Sequence, residues 1–258
     1  MNLKKIILVA VIFVAAASII GSSFGNRSHK GWDTAYNVEK VQSIQVESNV
    51  AQIWVRPIAS NEILVHFTGQ GRLNINDHLS NGQLTISETA QNSWRFSIGR
   101  VQNHTPQLEI MLPQASFERL SVSNDVGTIL VEGIRAEDLQ LTSRVGEITL
   151  RDTQSNHVLL GSNVGQINAT HVAGNLGITS DMGQISISLP VLGQNIDVTS
   201  RIGEVNLNLG QAPENATIHT ATQLGESRIF GESSTSATFG DGRYQVNIST
   251  NMGEINVW

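Results

Sequence analysis

The chain contains no cysteine. That excludes disulfides, thiolate metal sites, a cysteine nucleophile and an acylated lipoprotein cysteine. Aromatic residues make up only 5% of the 258 residues and charged residues only 15%. A helical protein usually covers its exposed faces with Glu, Lys and Arg, so the polar surface here is built from Ser, Thr, Asn, Gln and Gly instead. The apolar share of 40% excludes a disordered chain. The formal net charge is −6. No basic patch occurs beyond the N-terminus, which argues against a nucleic-acid partner.

Long apolar runs are also scarce, with one exception. Lys4 and Lys5 precede an apolar stretch over residues 6–20, broken only by Ser18, and no charge follows until Arg27. A positive start before an apolar run is the pattern of a secretory signal, and Ala15, Ala16 and Ala17 supply small residues of the kind a signal peptidase reads. As a helix, residues 6–25 would span roughly 30 Å, enough to cross a bilayer. Residues 1–25 are therefore expected to be an apolar helix serving as a signal peptide or a transmembrane anchor. The anchor places the domain at the cell membrane, on its outer side, because the lysines stay inside; secretion after cleavage is the alternative. Residues 26–40 read as a polar tether.

What is abundant is one phrase. "TSRVGEITL" recurs as "SNVGQINA", "SDMGQISI", "TSRIGEVNL" and "STNMGEINV". Its glycines are Gly127, Gly146, Gly165, Gly183, Gly203, Gly225 and Gly253, at intervals of 19, 19, 18, 20, 22 and 28 residues. An earlier copy, "SNVAQIWV", has Ala51 in the glycine position. Counted from that position, offsets −7, −5, −1, +2 and +4 are apolar in 38 of 40 instances, Thr220 and Ser227 being the exceptions. The period within each copy is two, the mark of strands with one buried face. The parity then slips by one residue at the glycine. Such a slip requires a turn or bulge, and glycine supplies the positive φ that a turn of this kind needs. Ala51 would be strained there, so its corner should differ. Offset −3 is small and polar throughout, from Ser48 to Thr250, which predicts a ladder of hydroxyls bonding nearby backbone. On this reading Val145 and Ile148 lie in the core, while Arg144 and Glu147 face outward as a weak surface pair.

A unit of about 19 residues cannot bury its own apolar face, so neighbouring copies must stack. The expected fold is all-β: a parallel β-solenoid, a right-handed β-helix of about 19-residue rungs, occupying residues 41–258. Residues 120–258 hold the regular repeats. Residues 41–119 are less regular, either degenerate rungs or a hairpin-bearing cap. The Ser/Gly-rich "GESSTSATFGDG" should be a surface loop able to cover an end. The chain ends on "INVW" with nothing polar after it, so the C-terminal strand is expected to be an uncapped edge, either available for homo-association or covered by that loop.

The strand pair "SIQVESNVAQIWV", then "LTISE", then "LEIMLP" ending in Pro113, then repeated Ser/Thr-x-apolar-Gly-x-Ile units resemble the bacterial "putative adhesin" domain of unknown function, a DUF4097-like, envelope-associated β-helix family. The resemblance covers roughly residues 40–258. It implies a parallel β-helix, an N-terminal membrane segment in several members, and in some a link to envelope stress. It carries over no catalytic residues.

Nor do the residues themselves point to chemistry. The histidines (His29, His66, His78, His104, His157, His171 and His219) show no metal-ligand spacing. No catalytic, cofactor or metal residue is assigned. Glu147, Glu204, Glu226 and Glu254 share offset +1, but other copies carry Gln or Thr there, as a surface ladder would. The expected function is a non-catalytic envelope protein, a binding or interaction module, whose partner is an envelope protein or a cell-wall polymer. Alternatives are a polysaccharide lyase or hydrolase, and a regulatory component of an envelope-stress response. The candidate outward face is Trp54, Arg144, Glu147, Arg201, Glu204 and Arg228.

Overall fold

The structure, a computed structural model, describes residues 32–69, 73–90 and 105–258. The apolar segment over residues 1–25 lies outside the described residues. The described chain is all-β: 21 strands in one open sheet, with a single 3-10 turn at Val38–Lys40.

The strands stack as rungs, each named here by its corner residue. In the Gly146 rung, Arg135–Val145 leads into the corner and the start of Ile148–Val164 leads out. The inward strands pair in parallel from copy to copy with identical offsets, Leu139 beside Val158 and Val158 beside Leu176. The outward strands do the same, Ile129 beside Ile148 and Ile148 beside Ile167. Between the two layers lies one continuous core, with Leu141, Ile148, Leu150 and Ile167 fully buried.

The corner glycines have φ between +133° and +150°. They also touch. A Cβ built on Gly146 would collide with the carbonyl oxygen of Gly127, and one on Gly165 with that of Gly146. The same approach links Gly183 to Gly165, Gly203 to Gly183, Gly253 to Gly203 and Gly225 to Gly253. The residue type is thus demanded twice, by φ and by contact. Ala51 terminates this spine without a left-handed φ. Its corner is held differently: Glu88 Oε2 accepts the Ser48 hydroxyl at 2.8 Å and the backbone N–H groups of Asn49 and Val50 at 3.0 and 3.1 Å.

A second corner escapes the sequence pattern. Six residues after the glycine, Gly133, Asp152 and His171 all take left-handed φ, from +50° to +65°. Asp and His tolerate that region better than most residues, so no single residue type marks it. The 18-residue interval comes from a register shift between Gln154 and His157.

Rungs do not stack in chain order. Tyr244–Met252 pairs with Ile196–Ile202 on one side and Ala216–Leu224 on the other. The last copy is therefore inserted between the Gly203 and Gly225 rungs. The C-terminal strand is not an edge: Trp258 donates to Leu207 O and accepts from Leu209, and Phe230 donates to Val257 O. This corrects the expectation of an open edge at Trp258. The physical reason lies in the core residues. The Gly253 copy offers Val246, Ile248, Ile255 and Val257, all buried. The Gly225 copy carries Thr220 and Ser227, whose hydroxyls bond each other at 2.6 Å. The more polar rung takes the end. There the Ser/Gly-rich segment covers it, Glu232–Ser233 and Ser236–Phe239 pairing antiparallel with the last strands and Phe239 packing edge-on to Phe230.

The other end mirrors this. The 76-residue gap between Ala51 and Gly127 holds one degenerate rung, Gln83–Ala90 with Gln107–Pro113, stacked outside the Ala51 rung. Antiparallel strands Leu73–Ser80, Glu62–Thr68 and Trp32–Asn37 complete the cap. Residues 32–37, read above as tether, form a strand because Trp32 and Tyr36 alternate onto the core. Among the described residues Leu73–Ser80 pairs only with Gln83–Ala90, which makes it an edge there, and the partly buried Asp77 lies on it between Ile75 and Leu79. An inward charge of this kind opposes edge-to-edge pairing.

Two predictions follow from these contacts. Gly165→Ala should cost about 3 kcal/mol or more, from strain plus overpacking, read as a lowered urea midpoint, whereas Gly193→Ala, with open space around it, should not. Burial raises the Asp77 carboxyl above its usual range, outweighing its own backbone hydrogen bond and His78. The protonated form is the one the fold favours, so that contribution is complete below the ordinary carboxylate range and lost as pH rises past the raised value. Asp77→Asn should therefore stabilise at pH ~7 and make little difference below pH ~3, as urea midpoints at the two pH values would show.

Candidate functional site

Constant offsets turn each outward position into a row running the length of the stack, with neighbours about 4.8 Å apart. Four rows matter. At offset −4 stand Glu47 in the first copy and then Ser123, Thr142, Gly161, Thr179, Thr199, Ser249 and Ala221, all small. At −2 stand Asn49, Asp125, Arg144, Asn163, Asp181, Arg201, Asn251 and Gln223, in the order of the stack. Because the −4 row is low and the −2 row is tall, they border a shallow groove of about 560 Å³ that touches six rungs. A second hollow of about 670 Å³, lined by Gln45, Gln83, Arg119, Asp138, His157 and Leu159, continues along the same face.

The groove floor is the buried −3 ladder. Asn124, Thr250 and Thr222 donate to the corner carbonyls of the neighbouring rung, at 2.8, 3.4 and 3.0 Å. Between them, the hydroxyls of Ser143, Ser162, Ser180 and Ser200 are buried without a partner among the described residues. The ladder of hydroxyls is present, but it reaches backbone only toward its ends, where Ser48 also accepts the Ala51 N–H at 3.0 Å.

Offset −1 differs from its expectation. Val145 is 43% exposed and Leu224 63%. Val126, Val164, Met182 and Met252 are likewise exposed. The chain begins to turn before the glycine, so this row leaves the core although it keeps the parity of the buried positions. An apolar ridge results.

Offset +1 lies on the other flank of the ridge: Gln52, Thr128, Glu147, Gln166, Gln184, Glu204, Glu254 and Glu226. Arg144 and Glu147 consequently do not pair across the corner. Arg144 reaches Asp125 at 3.2 Å along its own row, as Arg201 reaches Asp181 at 3.6 Å. Glu147 accepts from Thr149 at 3.0 Å and Asn168 at 2.7 Å. Glu204 accepts from Asn256 at 3.4 Å. Arg228 bridges Glu226 and Glu254.

The six residues of the candidate face do not converge. Trp54 lies on the first copy, beside Glu109 and Leu130, on the sheet opposite the groove. Arg228 lies at the far end. Only Arg144 and Arg201 border the groove. Sequence reasoning missed the groove itself, although seven small residues at one outward offset were its signal. Among the described residues, no three His, Asp or Glu side chains gather as a metal site. His171 meets Asp152 at 3.0 Å and His219 meets Ser236 at 3.1 Å, both on the surface.

The sequence profile of the Toastrack DUF4097 family matches residues 41–258. The chain belongs to this family. Solved structures of similar fold include a putative adhesin from Bacteroides fragilis, 15% identical, TM-score 0.48, covering 90% of this chain and 98% of that one. A putative cell adhesion protein from Clostridium sporogenes is 11% identical, TM-score 0.44, with 88% and 98% covered. A putative lipid binding protein from Parabacteroides distasonis is 12% identical, TM-score 0.35, with 88% and 97% covered. No curated protein matches this Toastrack chain.

Removing Glu88 tests the one corner that the spine does not make. Glu88→Ala removes the acceptor of the Val50 N–H and of the Ser48 hydroxyl, while Asn49 N–H keeps the backbone carbonyl of residue 88. It should cost about 1–3 kcal/mol, measured by urea unfolding.

Proposed function

We propose that this Toastrack protein is a non-catalytic binding module of the cell envelope, held outside the membrane by its N-terminal segment. Its coil is right-handed, the hand that parallel crossovers take. One observation carries the reading: the long groove of small hydroxyl and glycine residues at offset −4, bordered by alternating Asp, Arg and Asn. A ligand suited to it is extended and repetitive, with hydroxyl or amide groups spaced along its length. A cell-wall polymer has that character. Trp54, remote from the groove, is not needed for it.

Catalysis gains nothing from the carboxylates. Glu204, Glu254 and Glu226 occupy consecutive rungs, but on an exposed ladder where asparagine and arginine already pair with them. Glycoside hydrolysis needs two carboxyls of unlike environment flanking a bound sugar.

Gly161→Arg gives the sharpest test, because the fold tolerates the change. A Cβ there meets Thr142 and Thr179 at 3.5 Å, an ordinary contact, and its φ is not left-handed. The variant should fill the groove, keep its melting temperature within a few degrees, and lose co-sedimentation with purified wall polymer. Trp54→Ala should keep it. Co-sedimentation unchanged by Gly161→Arg would reject the groove as the site.

A further inference from the structure

The apolar ridge is the largest feature that the groove leaves unused. Eight residues, in stack order Val50, Val126, Val145, Val164, Met182, Ile202, Met252 and Leu224, form a strip roughly 34 Å long at a 4.8 Å rung spacing. Six of them are exposed by 43% or more. A contiguous exposed apolar strip rimmed by polar rows marks an interaction surface. Its rims name the partner.

A second copy laid ridge to ridge and antiparallel brings each rim row against itself in reverse order. With the two-fold axis on the Gly165 rung, Arg144 faces Asp181 and Asp125 faces Arg201. Asn163 faces itself, and Asn49 faces Asn251. On the opposite rim Glu147 faces Gln184, Glu204 faces Thr128, Glu254 faces Gln52 and Glu226 faces Gln107. Every carboxylate meets a donor and no charge meets its like. The match depends on the inserted copy, which places Asn251 and Glu254 ahead of Gln223 and Glu226. It also depends on register. An axis on the Gly146 rung sets Arg144 against Arg144, and one on the Gly183 rung sets Asp181 against Asp181. An axis between Gly146 and Gly165 sets Asp125 against Asp181. An axis between Gly165 and Gly183 sets Arg144 against Arg201.

We infer that two copies of this chain associate through the corner ridge as an antiparallel two-fold dimer centred on Val164. The surface is isologous, as two-fold interfaces are. The apolar strip supplies the contact area and the rims set the register. The strip is narrow, so association is at the weak end of specific interfaces and is favoured where membrane tethering concentrates the chains. The dimer sets the two grooves side by side on one face.

Because the chain has no cysteine, single-cysteine variants of the full chain in membranes report the geometry directly. Val164→Cys should cross-link to a covalent dimer under mild oxidation. Val145→Cys and Met182→Cys should each give little alone but cross-link to one another when co-expressed. Efficient self-linking of Val145→Cys would overturn the antiparallel arrangement. Cross-linking of Val164→Cys no greater than that of the remote exposed Glu137→Cys would overturn the dimer. Charge exchange separates the interface from pairing within one chain. Arg144→Asp should lower Val164→Cys cross-linking about tenfold, a 1.4 kcal/mol effect. The double change Arg144→Asp with Asp181→Arg should restore it, because it rebuilds the contacts between copies while setting like charges together within each copy. A double variant that stays as low as the single one would overturn the register.

Discussion

The fold depends on a backbone approach that only glycine permits. At each glycine corner the glycine Cα rests on the corner carbonyl oxygen of the neighbouring rung, that of Ala51 for Gly127 and of a glycine for the rest, and a side chain on the approaching residue would part the rungs. This contact fixes the corner φ, and through φ the parity slip that lets both strands of a rung aim inward at one core. It also aligns every rung at the same offset. Rows of identical function follow from that alignment: the buried −3 ladder beneath the corner, the exposed −1 ridge at its crest, and the polar rims on either side. Hydrophobic burial supplies the driving force, but it is indifferent to which copy lies next to which.

The order of the copies is set by how each end of the stack closes. An open stack exposes strand edges, and edges recruit other chains. Here both ends fold back. The Gly225 rung and the degenerate Gln83–Pro113 rung occupy the outer positions, each carrying polar groups that an interior rung does not. The fully apolar Ala51 and Gly253 copies lie inside them. Very short antiparallel strands finish one end, and an inward Asp77 protects the other. The last strand, Ile255–Val257, is paired on both sides, with Val205–Asn208 and with Ser227–Ile229.

Much of this was legible in the sequence, because a repeat displays its own alignment. The glycine offset, the two strand parities and the covering role of the Ser/Gly-rich segment all follow from the residues. The two polar exceptions, Thr220 and Ser227, stood out in the repeat, but only the stacked rungs show that their copy takes an end. Three features were not legible. The −1 row carries apolar residues at the parity of the core, and only the direction of the turn exposes it. The second corner uses Gly133, Asp152 and His171, so no residue type repeats. Glu88 replaces a corner from forty residues away. The groove was half legible: its small residues were on the page, but their height against Arg144 and Arg201 required the stacked rungs.

The most direct test concerns which rung lies beside which. In the inserted arrangement Asn206 lies opposite Asn256, their side-chain amide groups 3.3 Å apart. Stacking in chain order would place Asn206 opposite Arg228 instead. In this cysteine-free chain, Asn206→Cys with Asn256→Cys should form an intramolecular disulfide under mild oxidation, detected as a loss of two hydrogens and one cross-linked peptide. Asn206→Cys with Arg228→Cys should stay reduced. The reverse result would contradict the inserted copy, and with it the order of the glycine spine.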